Sequence, residues 1–271
     1  MTVRPYDHET DYEAVNRFLI DLYRPVDVLE NWLQPRWEYM HFLSMSAGLP
    51  FDRCGVSENE KGINGLVHFE SNPAFNYLQY RPGDVGVVEE LLDWSDARLG
   101  GPSKTFERDV LGFYVNDFDT EVRHLMEDRG LRRHQEFAEP HARMVIEGSI
   151  DVPPVPSGFR LIGLDEDNDL RRINRVLWRG FNHEGPPPDE EIPGRALAQQ
   201  APNFRKDLTM VATAPNGDYA TFAGMWIVPE NKVAYVEPVA TDPRYRRMGL
   251  GRAAVLESIR RVAAEGAEVV W

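Results

Sequence analysis

The chain has 271 residues, 42% hydrophobic and 27% charged, with a net charge of −14, the size of two ordinary domains with a soluble globular composition. The acidic excess speaks against general binding to nucleic-acid phosphates, and no apolar run approaches the roughly 20 residues that cross a bilayer. The one cysteine, Cys54, leaves no intrachain disulfide and argues against a cysteine-based zinc site.

The first residues, Met1 to Asp7, lack the apolar core of a signal peptide, so the expected compartment is the cytoplasm. The acidity has two readings, solubility or attraction of a cationic substrate such as an amine.

In the first half, Val3–Tyr6 reads as a strand, Asp11–Leu22 as an amphipathic helix and Trp32–Leu43 as a second helix. Cys54–Ser57 and Asn64–Phe69 form a hairpin around Asn59–Gly62. A strand at Tyr77–Tyr80, a helix at Val85–Leu99, a strand at Leu111–Val115 and a helix at Phe118–Arg129 follow. Strands near Leu131–Phe137 and Ala142–Ile146 close the half. Pro153, Pro154 and Pro156 then fix φ and remove donors, so the stretch around Val152–Gly158 reads as an extended linker.

The second half repeats the order. Phe159–Ile162 is a strand, and Leu170, Ile173, Val176, Leu177 and Phe181 mark one face of a helix over Asn168–Phe181. Glu190–Gln200 predicts another helix. Leu208–Thr213, Tyr219–Val228 and a strand opening at Val233 form an antiparallel meander turned at Pro215–Asp218 and Pro229–Asn231. Arg252–Glu265 is a helix stopped by Gly266, and Glu268–Trp271 begins a last strand. The expected boundaries are 1–148, a linker at 149–158, and 159–271.

Between the third meander strand and the last helix lies the most informative segment. Arg244, Arg246, Arg247 and Arg252 surround Gly249 and Gly251 directly before a helix. Such a loop can aim backbone N–H groups at a phosphate, helped by the helix N-terminus, with guanidinium groups adding donors. Composition alone allows a plain surface turn as well. A dinucleotide fingerprint fits Gly249–Ala254 formally, but it needs a strand running straight into the first glycine and an acid about 20 positions on. Here a loop with Pro243 intervenes, and the sequence ends without a second parallel strand carrying such an acid.

Val239–Ala253, with Pro243, the leading Arg246 and Gly249-Leu250-Gly251, resembles the cofactor signature of the GNAT (general N-acetyltransferase) family, Arg/Gln-x-x-Gly-x-Gly/Ala. With the meander, the resemblance covers roughly Phe159–Trp271. It implies an α/β (mixed α+β) fold of two tandem acyl-CoA N-acyltransferase-like domains, each a mixed, mostly antiparallel sheet flanked by helices. It also implies an acyltransferase moving an acetyl group from acetyl-CoA to a primary amine by direct attack.

On that resemblance, Val239, Ala240 and Thr241 lie along the pantetheine, and Arg246, Arg247, Met248, Gly249, Leu250, Gly251 and Arg252 form the diphosphate loop. Pro238 favours either a bulge that splays the strand or an ordinary edge. Glu237 is the candidate general base, with Tyr235 two residues earlier on its face. Its alternative reading is a glutamate pointing to solvent or paired with arginine. An amide near Val239 would face the oxyanion, as the family implies. The family's usual general acid falls on a helix after the last strand, beyond Trp271, so either the sequence lacks its natural end or another segment completes the domain.

The first half reads as a degenerate copy or as an unrelated α/β domain. At the matching place, Tyr80–Val87 lacks the glycine spacing, and Asp84 would repel a phosphate. Phe181–Gly185 reads as an acceptor-side loop or a plain helix end, and His183-Glu184 lacks a second metal-spaced histidine. Trp226 reads as core or as a substrate platform. Expected partners are a small-molecule or peptide amine, with no metal, nucleic acid or membrane, and a homodimer is compatible. The alternative function is a catalytically silent acyl-CoA-binding sensor or scaffold.

Overall fold

The computed structural model describes residues 2–46 and 48–271; Met1 and Ala47, within the expected N-terminal domain, lie outside them. Contacts divide the chain into two units, Met1–Met40 with Met45–Pro140, and His41–Ser44 with His141–Trp271.

The N-terminal unit opens with β1 (Thr2–Pro5), α1 (His8–Leu22) and α2 (Gln34–His41). Helix α1 starts three residues before the hydrophobic pattern does, because the Asp7 carboxylate accepts the Glu9 N–H and caps a polar first turn. Next come β2 (Gly55–Asn59), β3 (Gly62–Phe69), β4 (Phe75–Tyr80) and α3 (Val85–Arg98). A short hairpin of β5 (Gly101–Ser103) and β6 (Arg108–Val110) then leads to β7 (Gly112–Tyr114) and α4 (Thr120–Asp128). The β5–β6 hairpin is too short to carry a readable alternation. The sheet order is β1-β2-β3-β4-β7, antiparallel except for the parallel pair β4–β7.

Two expected strands of this half differ. Leu131–Phe137 is irregular, with one 3₁₀ turn at Gln135–Phe137; its Arg132–Glu136 run is exposed and has no apolar face to bury. The strand at β8 (Met144–Val145) forms, but it belongs to the second unit and pairs in that unit's sheet.

That second sheet takes in β9 (Arg160–Gly163), β10 (Met210–Thr213), β11 (Tyr219–Val228), β12 (Val233–Thr241) and β13 (Val269–Val270). Its helices are α5 (Leu170–Gly180), α6 (Ile192–Ala198) and α7 (Leu250–Ala264). The order is β8-β13-β12-β11-β10-β9, parallel only at β12–β13. Both sheets are thus mixed and mostly antiparallel.

Strand alternation sends residues to opposite faces. Val211, Phe222 and Ala240 pack with Ile173, Val176 and Leu177 of α5. Met225, Ile227 and Ala234 pack with Ile259 and Val262 of α7, and Met210 and Ala223 with its Ala254. All ten residues of β11 are buried, so the strand is the core of the unit.

β8 adds an antiparallel edge beyond β13, extended by the Ile146 N–H donating to Glu268 O at 2.9 Å. Met144, Ile146 and Ile150 lie half-buried against the cluster that contains Val270 and Ile259. Three such side chains contribute about 1 kcal/mol each. A fragment of residues 159–271 is therefore expected to unfold about 3 kcal/mol more easily than one of 141–271 by denaturant titration. Equal stabilities would show that β8 is dispensable.

Candidate active site

β12 bends in its middle. Ala223 faces Val239 and Met225 faces Val236, so Gly224 alone opposes two residues, Glu237 and Pro238, across a bulge. The Glu237–Pro238 peptide is cis. A Cβ on residue 224 would lie 2.2 Å from Glu237 O, so this position requires glycine. The Trp226 indole donates to the same carbonyl at 3.0 Å and is otherwise buried, which makes it a core residue supporting the bulge. Gly224→Ala should cost about 1–3 kcal/mol through forced displacement of β12. Thermal melting checks this, and an unchanged midpoint would contradict it.

The bulge separates two regimes of pairing. Before it, β12 runs beside β13, ending with the Val236 N–H on Trp271 O at 2.9 Å. After it, Val239, Ala240 and Thr241 pair with β11, and Val239 is exposed.

The chain then turns through Pro243–Tyr245, where the Asp242 carboxylate accepts the Arg244 N–H. Arg247 (φ 64°) and Gly249 (φ 81°) both adopt the left-handed conformation. For arginine this costs on the order of 1 kcal/mol, the kind of local strain found where a backbone is held for a task. α7 begins at Leu250, two residues earlier than its apolar pattern, with Gly249 as N-cap. The buried Leu250 anchors that first turn, while Gly251 hides it from a propensity reading.

Among the described residues, no backbone N–H from Arg247 to Arg252 meets an intrachain acceptor at hydrogen-bond geometry. Six donors thus gather at the positive end of a 15-residue helix. The two glycines serve different ends. A Cβ on Gly249 would meet open space, so its glycine is needed for φ and leaves the donors uncovered. A Cβ on Gly251 would come within 3.2 Å of Thr241 Oγ1, so there glycine lets the helix approach the strands. Thr221 Oγ1 donates to Ala240 O at 2.8 Å and therefore accepts from Thr241 Oγ1 at 2.9 Å, locking that contact.

The arginines divide. Arg244 is bound to Asp242 and Asp218, at 2.9 Å each. Burial opposes ionisation of Asp242, but hydrogen bonds from Arg244 and the charge of Arg179 outweigh it and hold the carboxyl below its usual range. Arg246 is engaged by backbone and Asn182 acceptors. Two of the four guanidinium groups expected to add donors to a phosphate are thus occupied by acceptors of the protein. Arg247 and Arg252, both exposed, make no ion pair among the described residues.

Tyr235 and Glu237, both half-buried, lie together, the phenol donating to Glu237 Oε2 at 3.4 Å. Tyr235 is cross-strand partner to Trp226, whose ring meets Phe204 edge-on at 5.7 Å. In the loop after α5, His183 stacks on Trp178 at 4.4 Å and Phe181 is exposed.

The N-terminal unit differs at each corresponding place. β4 pairs with β3 in unbroken register from Phe69↔Asn76 to Gly65↔Tyr80, with no bulge. Its following helix, α3, is capped by Asp84, whose carboxylate accepts the Val87 N–H at 3.3 Å. A side-chain anion thus sits where α7 leaves its N–H groups open.

The site thus combines a bulged strand, a glycine turn and a helix whose first amides are open. Residues 170–271 match the model of the acetyltransferase (GNAT) family. A GCN5-related N-acetyltransferase from Sphaerobacter thermophilus is similar in structure with a TM-score of 0.56 at 16% identity, over 99% of this chain and 84% of that one. A tandem GNAT protein from the clavulanic acid biosynthesis pathway gives 0.54 at 12% identity, over 99% and 88%. No curated protein matches the chain in sequence. Residues 170–271 are thus similar to the GNAT family, and the whole chain has the fold of tandem GNAT proteins. Family members bind acyl-CoA and act as N-acyltransferases. Among the described residues, no helix is long and apolar enough to cross a membrane.

The sequence reading missed Gly224, Thr221 and Gly180. A glycine facing Glu237-Pro238 across the meander was the available signal for the first; the others act through contacts that local patterns do not carry.

Proposed function

We propose that the C-terminal unit transfers an acetyl group from acetyl-CoA to a primary amine by direct attack. The observation that carries this reading is the row of open N–H groups from Arg247 to Arg252 at the start of α7. They suit the diphosphate of the acetyl donor, with Arg247 and Arg252 adding charge. The stretch Val239–Thr241, which follows the bulge and has Val239 exposed, suits the pantetheine arm.

An alkyl amine has a pKa near that of lysine, about 10.4, so it must lose a proton before its lone pair can attack the thioester carbonyl. Glu237, beside the Tyr235 hydroxyl, is the base that would take it, directly or through a water. The Val239 N–H is the donor for the oxygen that gains charge as the C–N bond forms. The C–S bond then breaks and the amide and coenzyme A leave. The acceptor is a small-molecule or peptide amine, and the protein's acidity suits a cation.

Thiol release from acetyl-CoA, measured over a panel of polyamines, amino sugars, amino acids and lysine peptides, tests the reading. Amine-dependent release supports it; coenzyme A binding without release across the panel would favour a silent binding module, and no binding would overturn both.

A further inference from the structure

Arg246 opens the phosphate-loop motif, yet its exposed side chain lies back against the protein surface and is held by three acceptors there. Its Nε donates to Thr241 O at 3.1 Å, and one terminal nitrogen donates to Gly180 O and to Asn182 Oδ1, each at 2.8 Å. One planar group therefore joins the end of β12, the last turn of α5 and the second residue of the loop beyond it.

The surroundings are built for this junction. A Cβ on Gly180 would lie 2.7 Å from Ala240 Cβ, so glycine brings the end of α5 against β12. Asn182 takes φ 62°, a left-handed conformation that asparagine tolerates better than most residues and that aims its side chain locally. The Asn182 and His183 N–H groups close the helix on Arg179 O and Trp178 O, at 3.1 and 3.2 Å. His183 then stacks on Trp178, whose indole donates to Gly185 O at 3.3 Å. The segment from Asn182 to Gly185 is thus folded back on α5 and fastened at its root by Arg246.

We propose that Arg246 is a positioning residue: through Gly180 and Asn182 it fixes the loop 181–185 to the end of β12, so that this loop and the diphosphate loop are held as one piece. The side chain is not a phosphate ligand. This rests on the acyl-transfer reading for what the loop serves, namely the amine side of the site, but the linkage itself is a property of the fold.

Amide hydrogen exchange, mapped by mass spectrometry on the full chain without ligand, tests the linkage. In Arg246→Ala, peptides covering 181–185 should exchange at least 10-fold faster, while β10 and β11 keep their protection. Asn182→Ala should reproduce the effect, and the double variant should add little. Arg246→Lys should resemble Arg246→Ala, because an ammonium keeps the charge but lacks the planar fork that reaches three acceptors. Unchanged exchange in Arg246→Ala, or wild-type exchange in Arg246→Lys, would overturn the proposal.

Calorimetry with coenzyme A separates the two roles of the side chain. Arg246→Ala should keep its Kd within about 3-fold of wild type, whereas KM for the best amine of the panel above should rise about 10-fold. A 10-fold or larger loss of coenzyme A affinity that grows weaker in high salt would mark Arg246 as a phosphate ligand and sink the idea. If the wild-type chain bound no coenzyme A, the acyl-transfer reading would fall while the exchange result still decided the linkage.

Discussion

Gly249→Trp should abolish coenzyme A binding, with Kd raised at least 100-fold in calorimetry, while the protein remains folded. Residue 249 caps α7 in a left-handed conformation, and its missing Cβ would enter open space beside the free N–H groups. An indole starting from that open space fills the approach to those donors. The conformational cost of a side chain at φ 81° is about 1–2 kcal/mol, visible as a lower melting temperature. Gly249→Ala carries the same backbone cost with little bulk and isolates it. Equal affinity in wild type and Gly249→Trp would remove the diphosphate from this loop and with it the acetyl-CoA reading.

Glu237→Gln should lower kcat by about 100-fold to 10,000-fold at neutral pH, with the Kd of coenzyme A unchanged. The amide keeps the shape of the side chain and its place beside Tyr235 but cannot accept a proton from an ammonium. The deficit should shrink as pH rises towards about 10, because the amine then loses its proton to solvent unaided. A constant ratio between wild type and variant across that range would show that Glu237 is not the base. Since the bulge fixes the Glu237 backbone carbonyl through Trp226 rather than its carboxylate, the substitution leaves the strand geometry intact.

Much of the fold was written in local pattern. The meander of the second half and its turns follow from alternation and from Pro215–Asp218 and Pro229–Asn231, and the structure places β10, β11 and β12 there. Pro238 in a strand announced a break in the ladder, and a bulge is found. The phosphate-loop motif was visible because Gly249 and Gly251 stand directly before an amphipathic helix.

What could not be read depends on partners distant in sequence. Arg246 reaches residues 64 and 66 positions away, so nothing near it in the sequence distinguishes it from Arg247. Asp84 looked like a residue that repels phosphate; its role as the cap of α3 emerges from the Val87 N–H it holds. The strand near residue 144 was readable, but a two-residue strand has no pattern long enough to name its neighbour.

The pairing of β8 with β13 joins Met144 to Val270, across 126 positions (270 − 144) of intervening chain. Closing so wide a circuit carries an entropic cost that grows only with the logarithm of its length, so it weighs little on final stability. Its weight falls on timing. Contacts between remote segments slow folding, and a strand waiting for a mate translated more than a hundred residues later must spend that interval exposed. The outer rim of that sheet is thus expected to be the last part of it to zip shut.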